Sequence, residues 1–288
     1  MIYLILSIIC STLIFVVFKL MGRYEINNLQ AIFVNYIVAF TVGQALTGFN
    51  ANVLEVAQKP WFYSVLLLGL LFITLFQLMA WVSQTFGVSA VSVAVKMSVI
   101  IPVAFGILYY REGFGWLKIV GIATALLAVF LATYKPKRVK GDLKMLWLPI
   151  ILFLGSGFLD AFIKYNQSEL VQSIEHAEFT ASIFGMAAVF GLLFILYRRF
   201  TNQQAFQPKA VLAGIALGIP NYGSIYFLLL ALENAGIPSS NLFALNNVGI
   251  VALSAVIGTL AFAEKHSNFN KWGVALSILS ILLIFYTA

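Results

Sequence analysis

The chain is short of cysteine, histidine and charge, and each shortage removes a class of chemistry. Cys10 is the only cysteine among 288 residues, so an intramolecular disulfide and a cysteine metal cluster are both excluded. The two histidines, His176 and His266, lie far apart in expected loops and offer no metal set. HExxH, P-loop and GxSxG patterns do not occur, and the GxG of Gly113 and Gly115 lacks a third glycine at the required spacing. No metal or cofactor is expected, and no enzymatic motif is present. Charged residues make up only 9% of the chain, against roughly 25% in an average soluble domain.

What fills the sequence instead is hydrocarbon. Hydrophobic residues account for 62% and aromatic residues for 15%, including 26 Phe. A soluble fold of this length has too little interior to hide that much apolar surface, so lipid must cover the rest. A membrane-crossing helix needs about 20 predominantly apolar residues. Ten such stretches follow one another: 2–20, 29–49, 61–85, 89–109, 116–134, 145–165, 179–197, 211–232, 240–263 and 272–286. They are continuously apolar, whereas a barrel strand alternates over about ten residues. The expected fold is an all-α integral membrane protein. No Lys or Arg precedes the first stretch and no small-residue cleavage site follows it, so it reads as a retained span. Brief turns at Phe86-Gly87-Val88 and at Ala235-Gly236-Ile237-Pro238 separate neighbouring spans. Trp61, Tyr109, Tyr110, Trp116, Tyr134, Tyr197 and Trp272 stand near span ends, where amphipathic rings settle at the interface.

The net charge of +7 does not point to nucleic acid, because the basic residues sit in short loops. The densest cluster, Lys135 to Lys144, forms a basic linker at 135–144 between the segments 1–134 and 145–288, with five spans in each. If the spans alternate, one face receives 12 of the 17 Lys and Arg, including that linker, and the other receives only Lys59, Arg111, Lys118 and Lys164. The positive-inside rule places the richer face in the cytoplasm of a plasma (inner) membrane and both termini outside.

The two segments resemble each other. Gly106, Glu112 and Gly121 match Gly258, Glu264 and Gly273 at an offset of 152, Gly87 matches Gly236 at 149, and Ser11 and Lys19 match Ser156 and Lys164 at 145. Five spans per copy is an odd number, so the second copy enters from the opposite side and the repeats are inverted. Inverted repeats are the usual construction of secondary transporters, with the substrate near the midplane. Residues 102–121 around Glu112, residues 254–273 around Glu264, and Gly157-Phe158 with Lys164 carry a resemblance to a known family. The chain is similar to the drug/metabolite transporter superfamily, in its EamA-like ten-helix branch. That resemblance implies ten helices as two inverted five-helix repeats around a central cavity. It also implies transport of amino acids, other metabolites or drugs, often as export. Small four-helix relatives carry a proton-binding Glu two turns before a first-helix Lys; Ser11 and Ser156 occupy those places here.

Polar residues inside the spans are the candidate substrate site. Lys96 is the sharpest, since a lysine at the centre of a span costs about 2.5–3.5 kcal/mol to insert. Ser92, four residues earlier, shares its face. Gln77, Trp81 and Gln84 recur at i, i+4 and i+7. Asn221 and Tyr222 follow Pro220, and Asn246 and Asn247 lie in the ninth span. Asp160 is the one acid within a span and shares a helix face with Ser156 and Lys164. It is the candidate for proton or ion coupling, with a local pair to Lys164 as the competing role. Pro102 and Pro220 can kink their helices, and Gly214 with Gly218 forms a GxxxG close-contact signal. Glu112 and Glu264 are expected to be structural, capping the helices that follow. The expected partners are a small-molecule substrate and the lipid bilayer. The alternative to transport is a non-transporting membrane sensor or assembly subunit.

Overall fold

A computed structural model describes residues 1–49, 53–86, 94–113, 115–133, 145, 147–202, 207–262 and 268–286. The expected linker at 135–144, the turn at Gly87, and Ser92, Glu264 and His266 lie outside the described residues. Among the described residues the regular structure is helical, with no strand. In order, the helices are α1 (Ile2–Arg23), α2 (Asn28–Leu46), the short α3 (Val53–Val56), α4 (Phe62–Phe86), α5 (Ile100–Tyr109) and α6 (Trp116–Thr133). After the linker come α7 (Trp147–Glu169), α8 (His176–Asn202), α9 (Pro208–Asn234), α10 (Ser239–Phe262) and α11 (Asn268–Tyr286).

Helix is what the continuous apolar runs require, because lipid offers backbone N–H and C=O groups no partner and the chain must satisfy them internally. Seven helical segments are long and apolar enough to cross a membrane: Ile2–Arg23, Asn28–Leu46, Phe62–Met79, Trp147–Glu169, Ser173–Tyr197, Pro208–Asn234 and Ser239–Phe262. Ala94–Tyr109 and Ile119–Leu131 are shorter apolar helices. Large aliphatic side chains such as Leu108, Leu212 and Leu260 stand exposed on these helices, an outer surface suited to lipid. Local signals set the ends. Asn27 caps α2, its side chain accepting from the Gln30 backbone N–H, and Gly236 takes φ +68° in the turn before α10.

The chain divides into two compact units. Unit 1 comprises Met1–Thr74 and Tyr165–Glu233. Within it α2 packs along α8, and α9 packs on α2 through the GxxxG glycines. A Cβ added at Gly214 would lie 2.4 Å from the Val34 Cβ, and one at Gly218 only 2.8 Å from the Asn35 carbonyl oxygen. The motif therefore serves a contact inside this chain. Tyr36, Phe72, Phe184 and Tyr222 form a ring cluster nearby.

Two expectations change at one end of this unit. Trp61, expected at the lipid interface, is fully buried: its Nε1 donates to Glu175 Oε2 at 3.0 Å and its ring meets the edge of Phe179. Glu175 also accepts from Lys59 at 2.7 Å, and that bond raises the Lys59 ammonium above its ordinary pKa. His176, expected in a loop, opens α8 and is buried with its Nε2 2.9 Å from Glu233. In both cases a carboxylate from a distant part of the chain recruits the polar end of the ring, which satisfies it away from water.

Unit 2 comprises Leu75–Lys164 and Asn234–Ala288. Here α11 packs on α6, and α10 packs against α5, α6 and α11.

Candidate functional site

Lys96 owes its setting to Pro102. Residues 94–97 form a helical turn, Ser98 and Val99 leave the helix, and α5 resumes at Ile100. Proline has no N–H with which to reach the carbonyl four residues back. The Ser98 carbonyl instead accepts from Ile101 N–H at 2.9 Å, a tighter turn, while Ser98 Oγ donates to the Val95 carbonyl at 2.7 Å. A break thus sits two residues from Lys96, which is buried at 8% exposure.

A glycine brings a second helix to that break. A Cβ at Gly157 on α7 would lie 2.4 Å from Ile101 Cδ1 and 2.7 Å from the Ser98 carbonyl oxygen, so a bare Cα permits the approach. Asp160, about one turn further along α7, is partly buried and interacts electrostatically with Lys96. Lys96, from another helical segment, is thus a charge that acts on Asp160. Lys164 lies with its Nζ 5.2 Å from the centre of the Tyr110 ring. Opposite charges in a spanning segment offset part of each other's transfer cost.

The same unit holds four more of the expected site residues. Gln77 is half-buried on α4, and Trp81 is 46% exposed with its ring edge-on to Trp147. Asn246 and Asn247 are buried on α10. Asn247 Nδ2 donates to the Phe243 carbonyl at 3.2 Å, whereas Asn246 Oδ1 has no hydrogen-bond partner among the described residues. Sequence reasoning missed Asn241, in the first turn of α10. It is fully buried, and neither its Nδ2 nor its Oδ1 has a hydrogen-bond partner among the described residues. Ser254 Oγ, further along α10, is in the same condition. A third asparagine in one apolar helix was the available signal. Burying a polar group without a partner costs about 1–3 kcal/mol, so a solute or water that hydrogen-bonds to these atoms would offset that cost.

Asn221 and Tyr222 fall in unit 1 and are already engaged there. Asn221 Nδ2 donates to Asn35 Oδ1 at 3.0 Å, and the Tyr222 hydroxyl donates to the Ala177 carbonyl at 3.1 Å. Ser7 Oγ donates to the Ser224 carbonyl at 2.9 Å close by. These bonds join helices to one another.

Glu112 caps a helix, although one remote in sequence and not the one that follows it. Its Oε1 accepts from the Ser239 backbone N–H at 2.7 Å and from Ser239 Oγ at 2.5 Å. Oε2 accepts from the Ser240 N–H at 3.0 Å and from Ser240 Oγ. Those N–H groups open α10, where a helix has unmet donors and a partial positive charge. Gly106 makes the room, since a Cβ there would sit 3.1 Å from Glu112 Oε1.

Part of this arrangement is similar to a known family. The model of the EamA-like transporter family matches residues 1–134. An uncharacterized protein of Haemophilus influenzae is 28% identical, the match covering 98% of this chain and 97% of the relative. A solved crystal structure shares the fold with a TM-score of 0.78 at 13% identity, over 100% of this chain and 96% of the other. Residues 102–121, which carry Pro102, Gly106 and Glu112, lie inside the family match, and over residues 1–134 the chain is accordingly similar to the EamA-like transporter family.

Proposed function

We propose that this protein is a secondary transporter that exports a small polar metabolite, an amino acid or a related organic compound, by alternating access around a polar site at mid-membrane depth. The observation that carries the reading is the buried Lys96 beside a helix break that Gly157 of the Asp160 helix approaches closely. A zwitterion presents a carboxylate to the ammonium and an ammonium to the carboxylate, so the loaded site stays neutral where water is scarce. Asn246 and Asn247, with amides that both donate and accept, suit the remaining polar groups of such a solute. Ser92, Gln77 and Trp81 complete the proposed set, with Asn221 and Tyr222 as its further candidates. The reading includes ten crossings as two inverted repeats, with both termini outside the cytoplasm. A solute or ion gradient supplies the energy.

The test is Lys96→Ala in proteoliposomes. Transport is expected to be abolished while the yield of folded protein is preserved; unchanged affinity and rate overturn the proposal. Thermal stabilisation of the purified protein by amino acids, organic acids and nucleosides narrows the substrate, because a ligand of the folded state raises apparent stability.

A further inference from the structure

In unit 1 the chain between α7 and α8 is tied down through two carboxylates. Glu175 holds three donors: Lys59 Nζ, Trp61 Nε1 and the Gln172 backbone N–H, the last at 3.2 Å. Glu233 stands in the last turn of α9, where the partial negative charge of a helix end disfavours an acid. Two partners offset that placement. Ser173 Oγ donates to Glu233 Oε1, and His176 Nε2 lies 2.9 Å from Oε2. The Tyr222 hydroxyl, bonded to the Ala177 carbonyl, ties the start of α8 to α9 a second time.

His176 stands just before the apolar run of 179–197 and is 1% exposed. Its Nδ1 is buried and has no hydrogen-bond partner among the described residues. In the neutral ring Nε2–H donates to Glu233 and Nδ1 is a bare acceptor. A second proton would sit on Nδ1, charge a ring held away from water and add an N–H with no acceptor in reach. Little around the ring offsets that. Glu175 also acts on it, but Lys59 is paired with Glu175, and Glu178 and Glu55 act on Lys59. Glu233 keeps 27% of its side chain open to water, which screens its attraction. The closed ring is therefore a base without a place for its proton.

We infer that His176 Nδ1 is a proton-receiving site, and that acid releases the His176–Glu233 latch and with it the connection at 170–175. The sign follows from where the proton can bind. An imidazole open to water takes a proton at about pH 6.5, and above that value the ring is neutral both closed and open, so the latch keeps its full strength. Below it only the open ring gains a proton, which draws the equilibrium towards opening. Opening should thus be about tenfold more favourable at about pH 5.5 than at about pH 7.5. This inference does not depend on the transport reading.

The experiment follows hydrogen exchange by mass spectrometry in full-length protein in detergent, with protection corrected for the pH dependence of the chemical exchange rate. Peptides covering 174–182 in the wild type are expected to lose about tenfold in protection from about pH 7.5 to about pH 5.5. Peptides covering 210–218, where α9 packs on α2, should change less than about twofold. In His176→Gln the amide can still donate to Glu233 but does not titrate, and protection of 174–182 should stay level. A level wild type, or a His176→Gln variant that falls as steeply as the wild type, overturns the latch. Glu233→Gln keeps an acceptor for Nε2–H and should still lose protection in acid. A level Glu233→Gln variant would assign the proton to Glu233 and overturn the role of His176.

A second measurement reads the ring itself, should His176→Gln fail to fold. The chain has 2 histidines, so His266→Gln leaves His176 as the sole signal from 15N-labelled histidine in nuclear magnetic resonance. A neutral Nε2–H ring in the folded protein at about pH 6, where an exposed histidine is mostly charged, supports the site. An imidazolium there overturns it.

Discussion

Asn221 in unit 1 and Asn246 in unit 2 are both buried, and their side chains are treated differently. In unit 1 the Asn221 amide meets the Asn35 amide, and neighbouring hydroxyls of Ser7 and Tyr222 close on backbone carbonyls. In unit 2 the Asn241 side chain and Asn246 Oδ1 have no hydrogen-bond partner among the described residues, on a helix where Ser254 Oγ is in the same condition. A pair of amides that satisfy each other ties helices together. Amides left open in a membrane segment are a standing cost, and retaining them makes sense where a passing solute supplies the partner. The difference supports the proposed solute site at Asn246 more clearly than residue type does.

The largest effect should come from the packing side. Gly218→Leu forces a side chain into Val38 and the Asn35 carbonyl, and a cost of about 3 kcal/mol or more should appear as lost folded yield. Gly22→Ala, at a position with open space around it, is the control and should fold normally. Equal behaviour of the two would mean that α9 does not depend on close approach to α2.

Next in size is the one saturated polar centre described in unit 2. Glu112→Ala strips the carboxylate from the start of α10 and should destabilise the protein by about 2–3 kcal/mol, read as a lower melting temperature in detergent. Glu112→Gln should lose less, because the amide oxygen can still accept one of the N–H bonds. A melting temperature unmoved by either variant would remove the cap from the account of α10.

The smallest effects on stability sharpen the comparison most. Asn221→Ala leaves Asn35 without its partner and should cost about 1–2 kcal/mol while transport per folded molecule changes little. Asn246→Ala removes an acceptor with no hydrogen-bond partner among the described residues, so stability should not fall, relief of the unmet amide offsetting the volume lost. Its transport rate should nevertheless fall by about tenfold, the loss of roughly one hydrogen bond to the solute. Reversal of that pattern, with Asn246 stabilising and Asn221 selective, would break the distinction between the two asparagines.

Much of the fold and part of the site are legible in the order of residues alone. The helical class follows from unbroken apolar runs, the break near Lys96 from Pro102, and the close contact from Gly214 and Gly218. Other features are hidden for a common reason. Glu112 reaches Ser239 and Ser240 across more than a hundred residues, and Trp61 is drawn inward by Glu175 at a similar separation. Helical periodicity pairs Asp160 with Lys164, because it reports only neighbours along one axis. Lys96, a charge that acts on Asp160, comes from another helical segment, and no local pattern encodes that. Asn241 escapes notice because an asparagine near a span end looks like an ordinary polar boundary until its burial is known.

By itself the sequence determined the solvent and the secondary structure. Hydrocarbon surroundings leave backbone groups no partner outside the chain, so long apolar runs have one stable answer. Which polar side chain meets which was decided only by the tertiary structure. Such meetings depend on where two helices cross and how closely, and here glycine-sized contacts at Gly157, Gly214 and Gly218 set those distances.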